Sequence, residues 1–298
     1  MKPRVFRDMI EARWSLPTSV CVGLDSDYEQ IPVSVRKANI EGTIVSFNCP
    51  IIGATHDLVC AYKPNIAFYE AYGKQGIAAL IRTVKYINQC APEVPVILDA
   101  KRADIGNTNK GYAKFAFDIL GADAITVNPY LGQEALQPFL EYKDKGIFVL
   151  CRTSNPRAGE FQDLLFTGIP LYQVVAQHVA AEWNTHNNCG LVVGATYPDQ
   201  LREVRNIVGN MPILIPGIGA QAGDLGEAVT AGLDNRGYGI VVNAARSIIF
   251  ASKGPDFPNA ARKETQKMSA AINHYRAALK TLSERSGDLP PADLALFR

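Results

Sequence analysis

An excess of charge of either sign is missing from this sequence. Thirty Lys and Arg stand against 29 Asp and Glu, a formal net charge of +1. Proteins that bind nucleic acid over large surfaces, or that lie on anionic membranes, usually carry an overall basic excess, so neither partner is expected. Any bound anion must be captured by a few local groups. No stretch of 18 apolar residues occurs, and the first residues, MKPRVFRDMIEARW, lack the apolar centre of a signal peptide. Histidine is scarce: His56, His178, His186 and His274 are scattered without ligand spacing, so no metal site is expected. The six cysteines include no CxxC pair, and Cys21, Cys60, Cys151 and Cys189 lie in or beside apolar runs. Reduced, mostly buried thiols in a cytoplasmic protein are therefore expected. Low-complexity tracts, charge blocks and interdomain linkers are also missing.

A short β-branched apolar run, ending in small or polar residues and followed by a helical pattern, recurs eight times. The runs cover 19–25, 59–65, 94–101, 124–130, 146–154, 190–196, 212–219 and 239–246. Continuous apolar strands of this kind read as parallel strands buried on both faces. Ile77, Leu80, Ile81, Val84 and Ile87 follow helical spacing, as do the residues after Tyr172 (Val174, Val175, Val179, Trp183). Met268, Ile272, Tyr275, Leu279 and Leu282 mark a last helix. Eight strand–helix units in 298 residues predict one (β/α)8 TIM barrel of class α/β, which takes about 250 residues. It forms a single domain over 1–298, with an N-terminal helix and a C-terminal helical extension. An open doubly wound sheet is the runner-up, but no GxGxxG follows the first strand. Residues 26–58 read as the first crossover plus an insertion.

Active sites of such barrels form at the carboxyl ends of the strands. Every strand but the sixth ends there in a residue unusual for a core: Asp25, Lys63, Asp99 with Lys101, Asn128, Ser154, the Pro216–Gly219 turn, and Asn243 with Arg246. Strand alternation places Asp99 and Lys101 on one side. Lys63 sits on the adjacent strand, and Asp104 lies past the strand end, where a turn can bring it back or present it elsewhere. Flanking carboxylates favour the ammonium form of Lys101. That suits a proton donor beside a developing carbanion better than a Schiff-base nucleophile. A buried ion-pair network at a barrel end would read the same way.

A second signal is anion binding. Glycines at 217, 219 and 223 with Gln221 follow the seventh strand, and Asn243-Ala-Ala-Arg246 follows the eighth. Loops in these positions commonly grip phosphate in such barrels, and an arginine there can clamp it in bidentate fashion. Residues 155–170 mix charge with Phe161, Leu164, Leu165 and Phe166, and fit either a cover over the organic part of a substrate or a helical decoration.

The segment DAKRADIGNT (99–108), with Gly23-Leu24-Asp25, Lys63-Pro-Asn65, Ser154, Pro216-Gly-Ile-Gly219, Gln221 and Arg246, resembles the orotidine 5′-monophosphate decarboxylase family over nearly the whole chain. The D-x-K-x-x-D-I core is similar to the longer bacterial subgroup, type 2. The resemblance implies a cytoplasmic lyase of UMP synthesis that uses no metal and no cofactor. It makes Lys101 the group that protonates a C6 carbanion, with Asp99 against the substrate carboxylate and Lys63 helping to hold Lys101. It assigns Asp25 and Lys63 to ribose hydroxyls, Ser154 to the pyrimidine, and Gln221 with Arg246 to the phosphate, with Pro216, Gly217 and Asn243 lining the same site. Asp104 and Thr108 would reach a neighbouring subunit, which makes the enzyme a homodimer with shared sites. Two other readings remain: a Mg-dependent sugar-phosphate decarboxylase or aldolase of the same barrel group, and a non-catalytic phosphate-ligand-binding barrel. The first needs an extra metal-binding acid near the second strand, where this chain has Lys63.

Overall fold

The computed structural model describes residues 3–16, 18–218 and 224–287. Each apolar run yields one parallel strand: β1 (Val20–Gly23), β2 (Ala61–Lys63), β3 (Ile97–Arg102) and β4 (Ala124–Val127). These are followed by β5 (Gly146–Arg152), β6 (Cys189–Val193), β7 (Ile213–Ile215) and β8 (Ile240–Ala244). The lateral order is β2-β1-β8-β7-β6-β5-β4-β3. Parallel bridges from Tyr62 to Val96 and from Asn65 to Asp99 join the two ends and close the sheet. The result is the expected (β/α)8 barrel, because an open sheet would leave β2 and β3 unpaired.

Period-two alternation divides the strands between two apolar layers. Cys21, Ala61, Ile97, Ala124, Phe148, Val192, Leu214 and Val241 share one cluster inside the barrel. Val22, Tyr62, Leu98, Ile125, Val149, Leu191, Ile213 and Val242 belong to the layer beneath the helices. Cys21, Ala61 and Ala124 are small, which leaves room in the interior. The N-terminal helix Phe6–Ser15 fills that room from below with Phe6, Ile10 and Trp14. The Phe6 ring meets Phe148 edge-on at 5.5 Å, and the Trp14 indole donates to the Ile240 carbonyl at 2.8 Å.

This amino-terminal end is tied together by buried charges. Arg13 donates to the carbonyls of Val59, His56 and Asp57. Arg205 donates to four carbonyls, of Gly232, Gly209, Met211 and Gly239, at 2.6–2.8 Å. Burial pulls the Arg205 guanidinium down to about 10. Asp123 accepts from Arg4 and from the Val96 N–H.

The helix with the 77–87 pattern spans Gly73–Cys90, with Leu80, Val84 and Ile87 buried. The pattern after Tyr172 forms the helix Leu171–His178, continued by a π turn over Val179–Trp183. The last helix spans Phe257–Gly287 and buries Met268 and Ile272, while Tyr275 is 37% exposed. The Leu282 side chain lies outside what is described. Residues 26–58 form two single 3-10 turns and one helix, Ile40–Thr55, whose Asn39 cap accepts from the Gly42 N–H at 2.7 Å.

Candidate active site

The carboxyl ends of the strands surround a cavity of about 450 Å³. Asp25, Lys63, Asp99, Lys101, Ser154, Pro216, Gly217, Asn243 and Arg246 all line it. Six of the seven predicted strand ends thus meet at one opening; Asn128, at the end of β4, does not line it and instead accepts from the Tyr130 N–H at 3.0 Å. A wider cleft of about 540 Å³ lies on the outer wall between Lys110 and Gln137, so size alone does not locate the site.

The charged array is tightly bonded. Lys63 Nζ lies 2.7 Å from Asp99 Oδ2, and Lys101 Nζ lies 2.6 Å from Asp99 Oδ1. The backbone brings these side chains together: Asp99 N–H donates to the Pro64 carbonyl at 2.9 Å, and Ile66 N–H to the Asp99 carbonyl at 3.2 Å. Lys63 and Asp99 are buried, whereas the Lys101 side chain is 49% exposed. Burial alone would raise the Asp99 carboxyl, but Lys63 and Lys101 outweigh it and hold the group well below the usual carboxylate range. Burial alone would likewise lower Lys63, but Asp99 and Asp25 hold its ammonium above the ordinary lysine value.

The reason Asp99 and Lys101 converge differs from the one expected. Leu98 pairs with Ile125 but Arg102 pairs with Val127, so β3 spends four residues where β4 spends two. Lys101 sits within this bulge at φ 47°, in the left-handed region. A bulge, and not simple strand alternation, aims its ammonium at Asp99.

Asp25 occupies an opposite situation. Its Oδ1 is buried with no hydrogen-bond partner among the described residues. Burial, with Asp99 adding to it, pushes its carboxyl upward against the pull of Lys63, Lys101 and Arg246. A fully buried network fixes the chain on either side. Ser26 Oγ donates to Asn48 Oδ1 at 2.6 Å, and Asn48 Nδ2 donates to Tyr69 Oη and Thr83 Oγ1, both at 3.1 Å. Tyr69 Oη donates to the Leu24 carbonyl at 3.0 Å. Sequence reasoning missed all four residues. They come from four separate segments and carry no local motif.

The remaining predicted residues fall in three groups. Gly217 adopts φ 101°, so only glycine is comfortable at that turn, and Arg246 is exposed at the start of the short helix Arg246–Ile249. Gln221 lies outside the described residues. Asp104 and Thr108 do not line the cavity; Asp104 Oδ1 accepts from the Ile105 N–H at 2.6 Å and Thr108 is exposed. The sixth strand, which offers no polar end, is followed by Gly194, where a Cβ would press to within 2.7 Å of the Ser154 backbone. That glycine makes room for the loop carrying Ser154.

Residues 155–170 combine a short helix, Gly159–Gln162, with a two-residue hairpin pairing Leu165–Phe166 with Ile169–Pro170. Gln162 lines the cavity and holds Thr153 at both ends of its amide, each contact 2.9 Å. Buried Arg152 anchors the loop through Asp163, with Nε 3.0 Å from Oδ1, and lies 3.8 Å over the Tyr197 ring. Phe161, Leu164, Leu165 and Phe166 are all more than half exposed to solvent.

A profile of the orotidine 5′-phosphate decarboxylase / HUMPS family matches residues 18–257. The chain belongs to this family. It is 46% identical over 273 residues to the orotidine 5′-phosphate decarboxylase of Cellvibrio japonicus, covering 91% of this chain and 99% of that protein. It is 47% identical over 272 residues to that of Cupriavidus necator, covering 91% and 98%. The solved OMP decarboxylase of Leishmania donovani superposes with a TM-score of 0.78 at 37% identity, over 91% of this chain and 99% of that one. A Leishmania donovani UMP synthase superposes at 0.82 with 38% identity. The match covers 92% of this chain but spans 57% of that longer protein. No helix among the described residues is long and apolar enough to cross a membrane.

Proposed function

We propose that the Lys63–Asp99–Lys101 array is the decarboxylating centre of an orotidine 5′-phosphate decarboxylase, which converts orotidine 5′-monophosphate to UMP and carbon dioxide. The observation that carries this reading is the Lys101 ammonium, half exposed in the cavity and bonded at 2.6 Å to a carboxylate that Lys63 holds from the other side.

The C6–carboxylate bond breaks, carbon dioxide leaves, and the electron pair stays on C6. Lys101 then delivers a proton to C6, and solvent restores the proton on Nζ. Nothing is oxidised or reduced, so the balance calls for no cofactor. The ammonium stabilises the developing negative charge from a fixed position, which is where electrostatic catalysis gains most. Asp99 sits against the departing carboxylate and keeps Lys101 aimed. Asp25, with Oδ1 buried and unpaired among the described residues, accepts from a ribose hydroxyl, with Lys63 beside it. Ser154 meets the pyrimidine, and Asn243 lines the floor. Pro216, Gly217, Gln221 and Arg246 take the phosphate. Binding energy gained at that remote phosphate helps order the reacting end.

Asp104 and Thr108 act in a neighbouring copy, making a homodimer with shared sites. In support, both lie away from their own cavity. Ile105 and Tyr130, on the loops after β3 and β4, are 64% and 87% exposed. A cytoplasmic location accords with six cysteines that are all free.

The test is loss of orotidine 5′-monophosphate absorbance with purified enzyme. Lys101→Ala is expected to lower kcat by about 10⁴-fold or more, while the folded variant still binds UMP. Near-normal turnover by that variant would sink the assignment. Mixing Lys101→Ala subunits with Asp104→Ala subunits should regenerate activity; a mixture as inactive as its parts would refute shared sites. Full activity in EDTA separates this chemistry from a Mg-dependent sugar-phosphate reaction.

A further inference from the structure

Thr126 on β4 faces the β3 bulge. It lies between Ile125 and Val127, the two β4 residues whose partners on β3 are four residues apart. Its hydroxyl fills the space the extra residues open. Oγ1 accepts from the N–H groups of Ala100 at 3.0 Å and Lys101 at 2.9 Å, and donates to Asp99 Oδ1 at 3.0 Å. A threonine hydroxyl offers one donor and two acceptor sites, so all three are used. Thr126 is buried, 1% exposed, and does not line the cavity.

These contacts land on the two groups the proposed chemistry depends on. A non-glycine residue at φ 47° persists only where its surroundings over-determine it. Here the restraint is one oxygen that receives the N–H of the strained residue and of its neighbour. The same oxygen bonds Asp99 Oδ1, the atom that also receives the Lys101 ammonium. We infer that Thr126 is a positioning residue for decarboxylation: its hydroxyl locks the bulge and the Asp99 carboxylate into one unit, and so sets where Lys101 Nζ stands. This rests on the assignment of Lys101 and Asp99 as the reacting array.

The hydroxyl alone is what the inference requires. Thr126→Val keeps the shape and removes every one of these hydrogen bonds. Thr126→Ser keeps the hydroxyl and loses a methyl group. Displacing a reacting group by about 1 Å can cost about 100-fold in rate, so Thr126→Val should lower kcat by about 10- to 100-fold. KM and UMP affinity should stay near wild type, because the ribose and phosphate contacts lie on other strands. Thr126→Ser should return kcat to within about threefold of wild type.

The experiment measures kcat, KM, UMP affinity and thermal midpoint for Thr126→Val, Thr126→Ser and Lys101→Ala together. Loss of kcat in the valine variant at unchanged KM, with recovery in the serine variant, supports the inference. A valine variant that turns over like wild type while Lys101→Ala is inactive overturns it and leaves the array standing. A serine variant as slow as Lys101→Ala also overturns it, and this holds even where the valine variant does not fold. An active Lys101→Ala overturns the array assignment itself, and the role of Thr126 with it.

Discussion

The two ends of this barrel hold similar residues in opposite states. At the amino-terminal end, Arg205 donates to four carbonyls, Arg13 to three, and Asp123 accepts from Arg4 and a backbone N–H. At the carboxyl end, Asp25 keeps a buried oxygen without a partner among the described residues, Lys101 holds a left-handed backbone, and Arg246 stands exposed. Both ends contain buried charge, so burial alone does not distinguish a structural group from a functional one. Satisfaction separates Asp25 from Arg205 and Arg13, since an unmade bond costs stability until a ligand makes it. It does not separate Asp99, which is bonded by Lys63, Lys101 and Thr126 and still belongs to the site.

The sharpest way to break this contrast is to exchange one residue at each end. Arg205→Met takes a donor from four carbonyls, of which those of Gly232, Met211 and Gly239 are buried, and is expected to cost about 3–5 kcal/mol of stability. Turnover per folded molecule should be unchanged. A thermal midpoint equal to wild type would show that the lower end is not dedicated to holding the fold.

Asp25→Asn should move stability the other way, by about 1–2 kcal/mol upward, because it removes a buried charge that lacks a full set of partners. The same change should weaken UMP binding by about tenfold or more. Calorimetry with and without UMP checks both signs, and a variant that is less stable and binds normally would place Asp25 in the structural class.

The smallest effect is a difference in pH dependence within the upper end. Asp99 is held below the ordinary carboxylate range in the folded chain, so its contribution is present above about pH 4 and is lost as pH falls through the lower folded value. Asp25 is raised, so its penalty is absent below about pH 4 and grows as pH rises through the folded value. The stability deficit of Asp99→Asn should therefore close only in strong acid. The gain in Asp25→Asn should already vanish near pH 4. Parallel curves for the two variants would remove the distinction drawn between these carboxylates.

Much of this arrangement is legible along the chain, for a specific reason. Parallel strands are buried on both faces, so each appears as an unbroken apolar run, and a polar residue at its end is conspicuous. Asp25, Lys63, Asp99, Lys101, Ser154, Asn243 and Arg246 stand out in this way, and all reach one cavity. Thr126 does not stand out, because a threonine inside the run AITV reads as an ordinary β-branched strand residue. Asn48 and Thr83 hide on the buried faces of helices whose apolar pattern they interrupt only once each. Arg152 is flanked by a strand on one side and a loop on the other, and nothing near it predicts Asp163 or Tyr197 as partners.

The balance of 30 basic against 29 acidic residues, the eight apolar runs, and the order Lys63, Asp99, Lys101, Asp104 belong to the sequence alone. They are enough for the barrel and for the end of it that carries the site, because strand period and strand polarity are local properties. Which of those charges meet is a tertiary decision. Closing the sheet sets β2 against β3 and so Lys63 against Asp99, and a bulge opposite Thr126 turns Lys101 back onto the same carboxylate. Asp104, three residues further on, is left outside the cavity it was expected to join or to face from elsewhere. Spacing along a chain fixes a direction only while the strand stays regular, and here the irregularity is where the site is made.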